Sequence, residues 1–175
     1  MNKVHLLAAA AAALAAVSAC GTTSAPLAPS AVATLQPTSG NTAAGTVTFQ
    51  QQGDQVIATA KVSGLKPNQE HGFHAHEKGD CSSPDGMSTG GHFNPTGKPH
   101  GPPDAEHHAG DFPMLKADAS GNAEATFRLA GVTLGSGPTD LLGRGVIVHA
   151  AADDYKTQPT GNSGARIACG VIKPA

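Results

Sequence analysis

Histidines concentrate in one stretch of this chain, and they are more numerous than a single structural metal site requires. The sequence contains nine histidines, and seven of them lie between His71 and His108, closely followed by Asp111. Imidazole nitrogen is the commonest transition-metal ligand in proteins and suits both zinc and copper. Because a structural zinc site closes with four ligands, this density predicts two metal ions, or one metal ion beside a group that handles protons.

Two of these histidines, His74 and His76, are two positions apart in a segment with strand character. Side chains at i and i+2 of a strand point to the same face, so both rings can reach one metal ion. For this pair alone, a polar surface strand is the alternative interpretation. His149 ends an apolar run, residues 146–149 (VIVH), where a histidine is either a hydrogen-bonded core residue or a ligand.

A second set of candidate ligands lies in residues 78–113, a long segment without strand pattern. A segment of this length inside a compact domain is usually functional or disordered. It contains three imidazoles and a carboxylate that suit tetrahedral zinc: His92, His100, His108 and Asp111. A solvated loop rich in Gly, Pro and His is the alternative.

Alternating patterns predict that short β-strands position these ligands. Alternation over residues 46–50 and 56–62, on either side of the turn residues Gly53 and Asp54, predicts a hairpin. Further strands are expected at residues 70–77, 122–129, 145–151 and 166–172. No segment has a convincing helical period. Short strands between Gly and Pro turns predict an all-β fold, an antiparallel sandwich or barrel, with long loops at residues 78–113 and 153–165.

The first residues have the features of an export signal. Lys3 precedes an apolar, alanine-rich stretch, residues 6–17, which is too short to span a bilayer. The sequence VSAC that follows resembles the lipobox of bacterial lipoproteins, which implies cleavage before Cys20 and lipid on that cysteine. An ordinary signal peptide is the alternative. We expect a signal peptide (1–19), a flexible lipid-anchored tether (20–41) and a folded domain (42–175), held in the cell envelope, periplasmic or surface-exposed.

Cysteine content and charge narrow the possibilities further. In an oxidising compartment Cys81 and Cys169 are expected to form one disulfide, with two unpaired core thiols as the alternative. The formal net charge is −2, and there is no basic stripe, so nucleic acid is not an expected partner. Tryptophan is absent. A core with so few large side chains gains from the cross-links that a disulfide and metal ions provide.

Five groups of motifs occur in order and together resemble copper/zinc superoxide dismutase in its bacterial secreted form. They are GFHAHE (72–77) with GDC (79–81), GHFNP (91–95), HAGD (108–111), VH (148–149) with ADD (152–154), and GARIACG (164–170). The resemblance extends from about residue 43 to residue 173. It implies an immunoglobulin-like Greek-key β-sandwich or flattened barrel, one copper and one zinc per subunit, and superoxide as substrate.

The resemblance also implies a role for individual residues. Copper would be held by His74, His76, His92 and His149. Zinc would be held by His92, His100, His108 and Asp111, so that His92 bridges the two metals. Asp153 would hydrogen-bond to ligands of both metals, and Arg166 would hold the anionic substrate beside copper. The HAGD spacing favours His108 over its neighbour His107, which stays open as an alternative ligand.

The expected reaction is dismutation of superoxide to dioxygen and hydrogen peroxide, with His92 and Arg166 as catalytic residues. Copper exchanges single electrons whereas zinc is redox-inert, and the bridging His92 would supply protons to peroxide. One alternative is an exported copper/zinc-binding or metal-delivery protein without turnover. Another is a zinc hydrolase, for which no motif supplies a general base. Monomer and homodimer both stay open, and membrane contact is expected only through the lipid on Cys20.

Overall fold

The computed structural model describes residues 28–175, whose regular secondary structure is almost entirely antiparallel β-strand. The strands are β1 (Ser30–Pro37), β2 (Ala44–Gln52), β3 (Gln55–Ser63), β4 (Glu70–His71), β5 (Phe73–His76), β6 (Leu115–Lys116), β7 (Ala123–Ala130), β8 (Gly145–His149), β9 (Arg166–Val171) and β10 (Lys173–Pro174). A short 3-10 turn spans Met87–Thr89, and residues 28–175 contain no α-helix. No helix in this part of the chain is long and apolar enough to cross a membrane. The prediction of an all-β fold is confirmed.

The strands form one curled sheet in the order β5-β8-β9-β1-β2-β3-β7, with β10 beside β1. A separate ribbon of β4 and β6 lies between the two ends of this sheet, because β6 contacts β7 while β4 is separated from β5 only by Gly72. After β5, β6 and β7, the chain returns with β8 to pair with β5, which is the Greek-key order. The result is a flattened barrel with long loops after β5 and β8.

The predicted hairpin is β2 and β3, joined by the two-residue turn Gly53-Asp54. Gly53 has a φ of 61°, a conformation that suits glycine in a tight hairpin turn. Along β3, burial alternates as the sequence pattern predicts, with inward side chains at Val56, Ala58, Ala60 and Val62.

Aromatic packing inside the barrel holds β5, the strand that carries two of the candidate ligands. The ring of Phe73 lies 5.5 Å from that of Phe112 and 6.1 Å from that of Phe127 on β7, so the interior joins the two ends of the sheet. Because side chains alternate along a strand, Phe73 and Ala75 face this core while His74 and His76 face the opposite side, beneath the loops.

The folded domain begins earlier than predicted, with β1. The prediction of a flexible tether over residues 20–41 is wrong from Ser30 onward, since β1 pairs with β2 on one side and with β9 and β10 on the other. Its inward residues are Ala31, Ala33 and Leu35, all fully buried. Alanine gives a weak hydrophobic signal, so this alternation is inconspicuous within a segment rich in Thr, Ser, Ala and Pro. The predicted signal peptide and Cys20 lie outside the described residues.

The strand predicted over residues 70–77 is interrupted at Gly72. A Cβ atom built there would lie 2.6 Å from Ser163 Oγ and 3.1 Å from His74 Cε1, so the close approach of the loop after β8 requires glycine. β8 ends at His149, two residues before the predicted end, where a register shift between Val148 and His149 interrupts its pairing with β9. Both irregularities lie beside the candidate ligands.

Candidate metal centre

Four histidines from three parts of the chain converge in a first cluster, made of His74 and His76 on β5, His92 in the loop after β5, and His149 at the end of β8. One nitrogen from each lies within 4.8 Å of the others, and all four residues are buried. Pairing of β5 with β8 brings the strand residues together, and an isolated bridge between His76 and His92 brings in the loop.

In each ring of this first cluster one nitrogen faces the other rings without a hydrogen-bond partner. These atoms are His74 Nδ1, His76 Nε2, His92 Nε2 and His149 Nε2. The Nδ1 atoms of His76 and His149 donate to the carbonyl oxygens of Gly90 (2.9 Å) and Gly164 (3.2 Å), which leaves a lone pair on Nε2. A buried polar atom without a partner costs about 1–3 kcal/mol. Four convergent lone pairs therefore fit a bound cation.

A second cluster consists of His92, His100, His108 and Asp111, and its ligand atoms also lie within 4.8 Å of one another. Asp111 Oδ1 lies 2.8 Å from His92 Nδ1 and 3.3 Å from His108 Nδ1, and Asp111 Oδ2 lies 2.9 Å from His100 Nδ1. His100 Nδ1 and His108 Nδ1 make no hydrogen bond. Close approach without hydrogen-bond geometry is expected of groups that share a metal ion.

Backbone donors fix the Asp111 carboxylate in the second cluster. Its Oδ2 atom accepts hydrogen bonds from the backbone N–H of His108 (2.9 Å) and of Gly101 (3.3 Å). His108 belongs to this cluster, and His107 does not. The His107 ring is turned to the carbonyl oxygen of Ala105, 2.8 Å away.

Asp153 contacts one ring of each cluster on the side away from the convergent nitrogens. Its Oδ2 atom lies 2.7 Å from His74 Nε2, and its Oδ1 atom lies 2.9 Å from His100 Nε2. The backbone N–H of Asp153 donates to the Met114 sulfur at 3.1 Å, and that of Tyr155 donates to Asp153 Oδ1 at 2.7 Å. A carboxylate on the outer nitrogen orients an imidazole and makes its inner nitrogen more basic. One side chain thus orients a ring in each cluster.

Burial lowers the pKa of three histidines of the first cluster. Desolvation lowers the pKa of His76 to about 2 and that of His92 to about 4, and it lowers the pKa of His149 well below its usual value. These three rings are therefore uncharged at neutral pH, and each has a nitrogen lone pair available for a metal ion.

The carboxylates, in contrast, are held ionised. Burial by itself would raise the pKa of Asp111 and Asp153, but contacts with the neighbouring histidines outweigh it and leave both pKa values below their usual range. Burial lowers the pKa of His100, and the same two carboxylates outweigh this effect and raise the pKa to about 9. Asp111 therefore offers an ionised carboxylate to a cation, which would take the place of the proton on His100.

Arg166, the first residue of β9, is held beside the first cluster by the 3-10 turn. Its Nη1 atom donates to the carbonyl oxygen of Gly86 and to Thr89 Oγ1, both at 2.8 Å, and its Nη2 atom donates to the carbonyl oxygen of Gly90 at 2.7 Å. Arg166 shares the lining of a cavity of about 380 Å³ with His76 and His149. A fixed guanidinium in this cavity suits a small anion.

The predicted disulfide between Cys81 and Cys169 is confirmed, with an S–S distance of 2.02 Å. It ties the loop after β5 to β9, three residues beyond Arg166. The segment that contacts the guanidinium and the strand that carries it are therefore covalently linked.

Sequence reasoning missed two residues that support the clusters. His71 is buried, and its Nδ1 atom donates to the carbonyl oxygen of His149 at 2.7 Å. A Cβ atom built at Gly161 would overlap Asp153 Oδ1 and lie 2.5 Å from His100 Nε2. The sequence TGNSG (160–164) indicates a turn, but nothing in it indicates this contact.

Replacing Gly161 with alanine is expected to weaken zinc binding at least about tenfold, since it displaces the carboxylate that orients His100. An alanine that adopts the Gly161 φ of 65° also carries backbone strain of about 1–2 kcal/mol. Gly53→Ala is the matched control, because Gly53 has a φ of 61° and no atom within 4 Å of a built Cβ. Chelator competition measures zinc affinity, and equal affinities in the two variants would contradict the role of Gly161.

Comparisons with known proteins agree with this geometry. The family described as copper/zinc superoxide dismutase (SODC) matches residues 43–172. "Superoxide dismutase [Cu-Zn] 2" of Aquifex aeolicus (strain VF5) is 44% identical over 123 residues, which cover 67% of this chain and 72% of that protein. The chain therefore belongs to the copper/zinc superoxide dismutase family.

Two solved structures show the same fold. A double mutant of a SOD-like protein from Bacillus subtilis superposes with a TM-score of 0.74 at 38% identity, covering 81% of this chain and 96% of that one. The clock protein EA4 superposes with a TM-score of 0.76 at 38% identity, covering 87% and 98%.

Proposed function

We propose that this chain dismutes superoxide to dioxygen and hydrogen peroxide, using one copper and one zinc ion. The observation that carries this proposal is the shared ring of His92, whose Nε2 atom faces the first cluster and whose Nδ1 atom faces the second. The four-imidazole first cluster suits copper, and the second cluster, with three imidazoles and a carboxylate, suits zinc. The ligands are the residues of those two clusters.

The reaction consumes two superoxide anions and two protons for each dioxygen and hydrogen peroxide released. Copper, when bound, supplies the one-electron oxidation and reduction. Arg166 attracts and orients the anion with a guanidinium that stays charged, and the turn at Gly86 and Gly90 fixes its direction. The Nε2 atom of His92 would take up a proton from solvent and give it to the product, while Asp111, 2.8 Å from Nδ1, keeps the ring in place.

Pulse radiolysis tests the proposal directly. Superoxide decay is followed in the presence of the protein loaded with copper and zinc, and again with zinc alone. A copper-dependent rate constant near the diffusional ceiling, about 10⁸–10⁹ M⁻¹s⁻¹, is expected. Slow decay with copper demonstrably bound would instead favour a metal-binding or metal-delivery protein without turnover.

We also propose that the chain is exported and anchored in the cell envelope by lipid on Cys20. The VSAC sequence supports the anchor, and a disulfide is typical of proteins in oxidising compartments. Cys20→Ser should release the protein from the membrane fraction of cells. Continued membrane retention of that variant would contradict the anchor.

Apart from the anchor, we propose that the domain is a monomer. Within residues 28–175, Met87 is the only large apolar side chain that is exposed, at 58%. Stable homodimer interfaces have an apolar centre, and the other large apolar side chains of the described residues, such as Ile57 and Phe127, are at most partly exposed. Sedimentation velocity of the lipid-free protein should give the mass of a single chain, and a dimer at micromolar concentration would contradict this.

A further inference from the structure

We propose that Gln158 is a positioning residue that fixes the backbone of the zinc ligand His100 and thereby sets how tightly zinc is retained. Gln158 belongs to the loop between β8 and β9, 58 positions from His100 along the chain. The inference rests on the proposed assignment of zinc to the second cluster.

The Gln158 side chain contacts both backbone polar groups of His100. The N–H of His100 donates to Gln158 Oε1 at 2.9 Å, and Gln158 Nε2 donates to the carbonyl oxygen of His100 at 2.8 Å. An amide presents one acceptor and two donors on a planar group, so it can bind the N–H and the carbonyl oxygen of one residue at the same time. This contact replaces the strand pairing that His100 lacks.

His100 lies in an irregular part of the loop after β5, between Pro99 and Gly101. Within the described residues, its backbone hydrogen bonds are the two to Gln158, and its ring Nε2 atom contacts Asp153. All three contacts come from the loop after β8. That loop therefore determines where His100 Nδ1 points, although His100 itself belongs to the loop after β5.

Glutamine is required because the two contacts need opposite hydrogen-bonding roles. Gln158→Glu keeps an acceptor for the His100 N–H and places a second carboxylate oxygen against the His100 carbonyl, where it cannot donate. Gln158→Ala removes both contacts. Zinc affinity should therefore fall in the order wild type, Gln158→Glu, Gln158→Ala.

The test measures zinc affinity of the purified protein by chelator competition. Loss of groups that support a metal ligand typically costs about 10–100-fold in affinity, and we expect about tenfold for Gln158→Ala. The absorption spectrum of the cobalt(II)-substituted protein gives a second readout, because its d–d bands should shift if the His100 ring turns. A purely structural role would lower thermal stability without changing either readout.

Gln51→Ala is the matched control. Gln51 also binds loop backbone with both ends of its amide, accepting from Leu134 N–H at 2.9 Å and donating to the carbonyl oxygen of Gly53 at 2.9 Å. It lies in neither cluster. Gln51→Ala should retain the zinc affinity and cobalt spectrum of the wild type.

A zinc dissociation constant within twofold of wild type for Gln158→Ala would overturn the proposal, as would an equal loss in Gln51→Ala. If Gln158→Ala does not fold, the same criterion applies to Gln158→Glu, which keeps the size of the side chain. Failure of the unaltered protein to bind zinc would overturn the proposed function as well. Tight binding by every variant would overturn only the role of Gln158.

Discussion

Replacing His149 with alanine is expected to slow copper-dependent superoxide decay by more than about a hundredfold. Loss of a residue that only supports a metal ligand costs up to about a hundredfold, and His149 is itself a ligand in the proposed copper site. The change removes one of the four convergent lone pairs of the first cluster. The second cluster does not include His149, so zinc should remain bound. Pulse radiolysis gives the rate, and elemental analysis gives the copper and zinc contents.

His107→Ala is the control for this variant. The His107 ring contacts the Ala105 carbonyl oxygen and belongs to neither cluster, so this variant should keep both metals and the full rate. Retention of the wild-type rate by His149→Ala would disprove the copper assignment. Loss of zinc from His107→Ala would instead favour His107 over His108 as a ligand.

Removing the disulfide should lower the free energy of unfolding of the metal-free protein by about 4–5 kcal/mol, from the chain entropy that the cross-link removes from the unfolded state. Cys81 and Cys169 are 88 positions apart, so the bond closes most of the domain into one loop. The double variant Cys81→Ala/Cys169→Ala tests this by urea unfolding in the presence of a chelator, which keeps metal release out of the transition.

Reductant provides the internal control for the disulfide. It should lower the stability of the wild type to that of the double variant and leave the double variant unchanged. A loss of less than about 1 kcal/mol would show that the cross-link adds little beyond the native packing. Engineered disulfides often stabilise a protein less than the chain-entropy model predicts.

Sequence reasoning located the residues whose side chains can bind metal ions or form a disulfide. Imidazole, carboxylate and thiol groups are conspicuous at any position, and the family resemblance of their motifs implies how they group into two clusters. The hairpin of β2 and β3 was equally accessible, since alternation and the Gly53-Asp54 turn are local signals.

Features that depend on distant contacts could not be predicted. The strand character of β1 depends on burial of Ala31 and Ala33 by neighbouring strands, and alanine signals this poorly. Gly161 and Gln158 act through Asp153 and His100, and their importance becomes visible only when the two long loops are in contact. The local sequence does not indicate which loop a given glycine or glutamine will contact in the folded protein.

The early start of β1 determines how the domain is presented on a membrane. Nine residues separate Cys20 from Ser30, and a chain of that length reaches at most about 30 Å. β1 then runs about 25 Å to Pro37, and Thr38 next to it donates to the Arg166 carbonyl oxygen. With the proposed anchor, the domain is held close to the bilayer by the end opposite Arg166. The chain then enters the domain about one strand length from the substrate cavity, so the point of attachment and the cavity lie at different ends of β1.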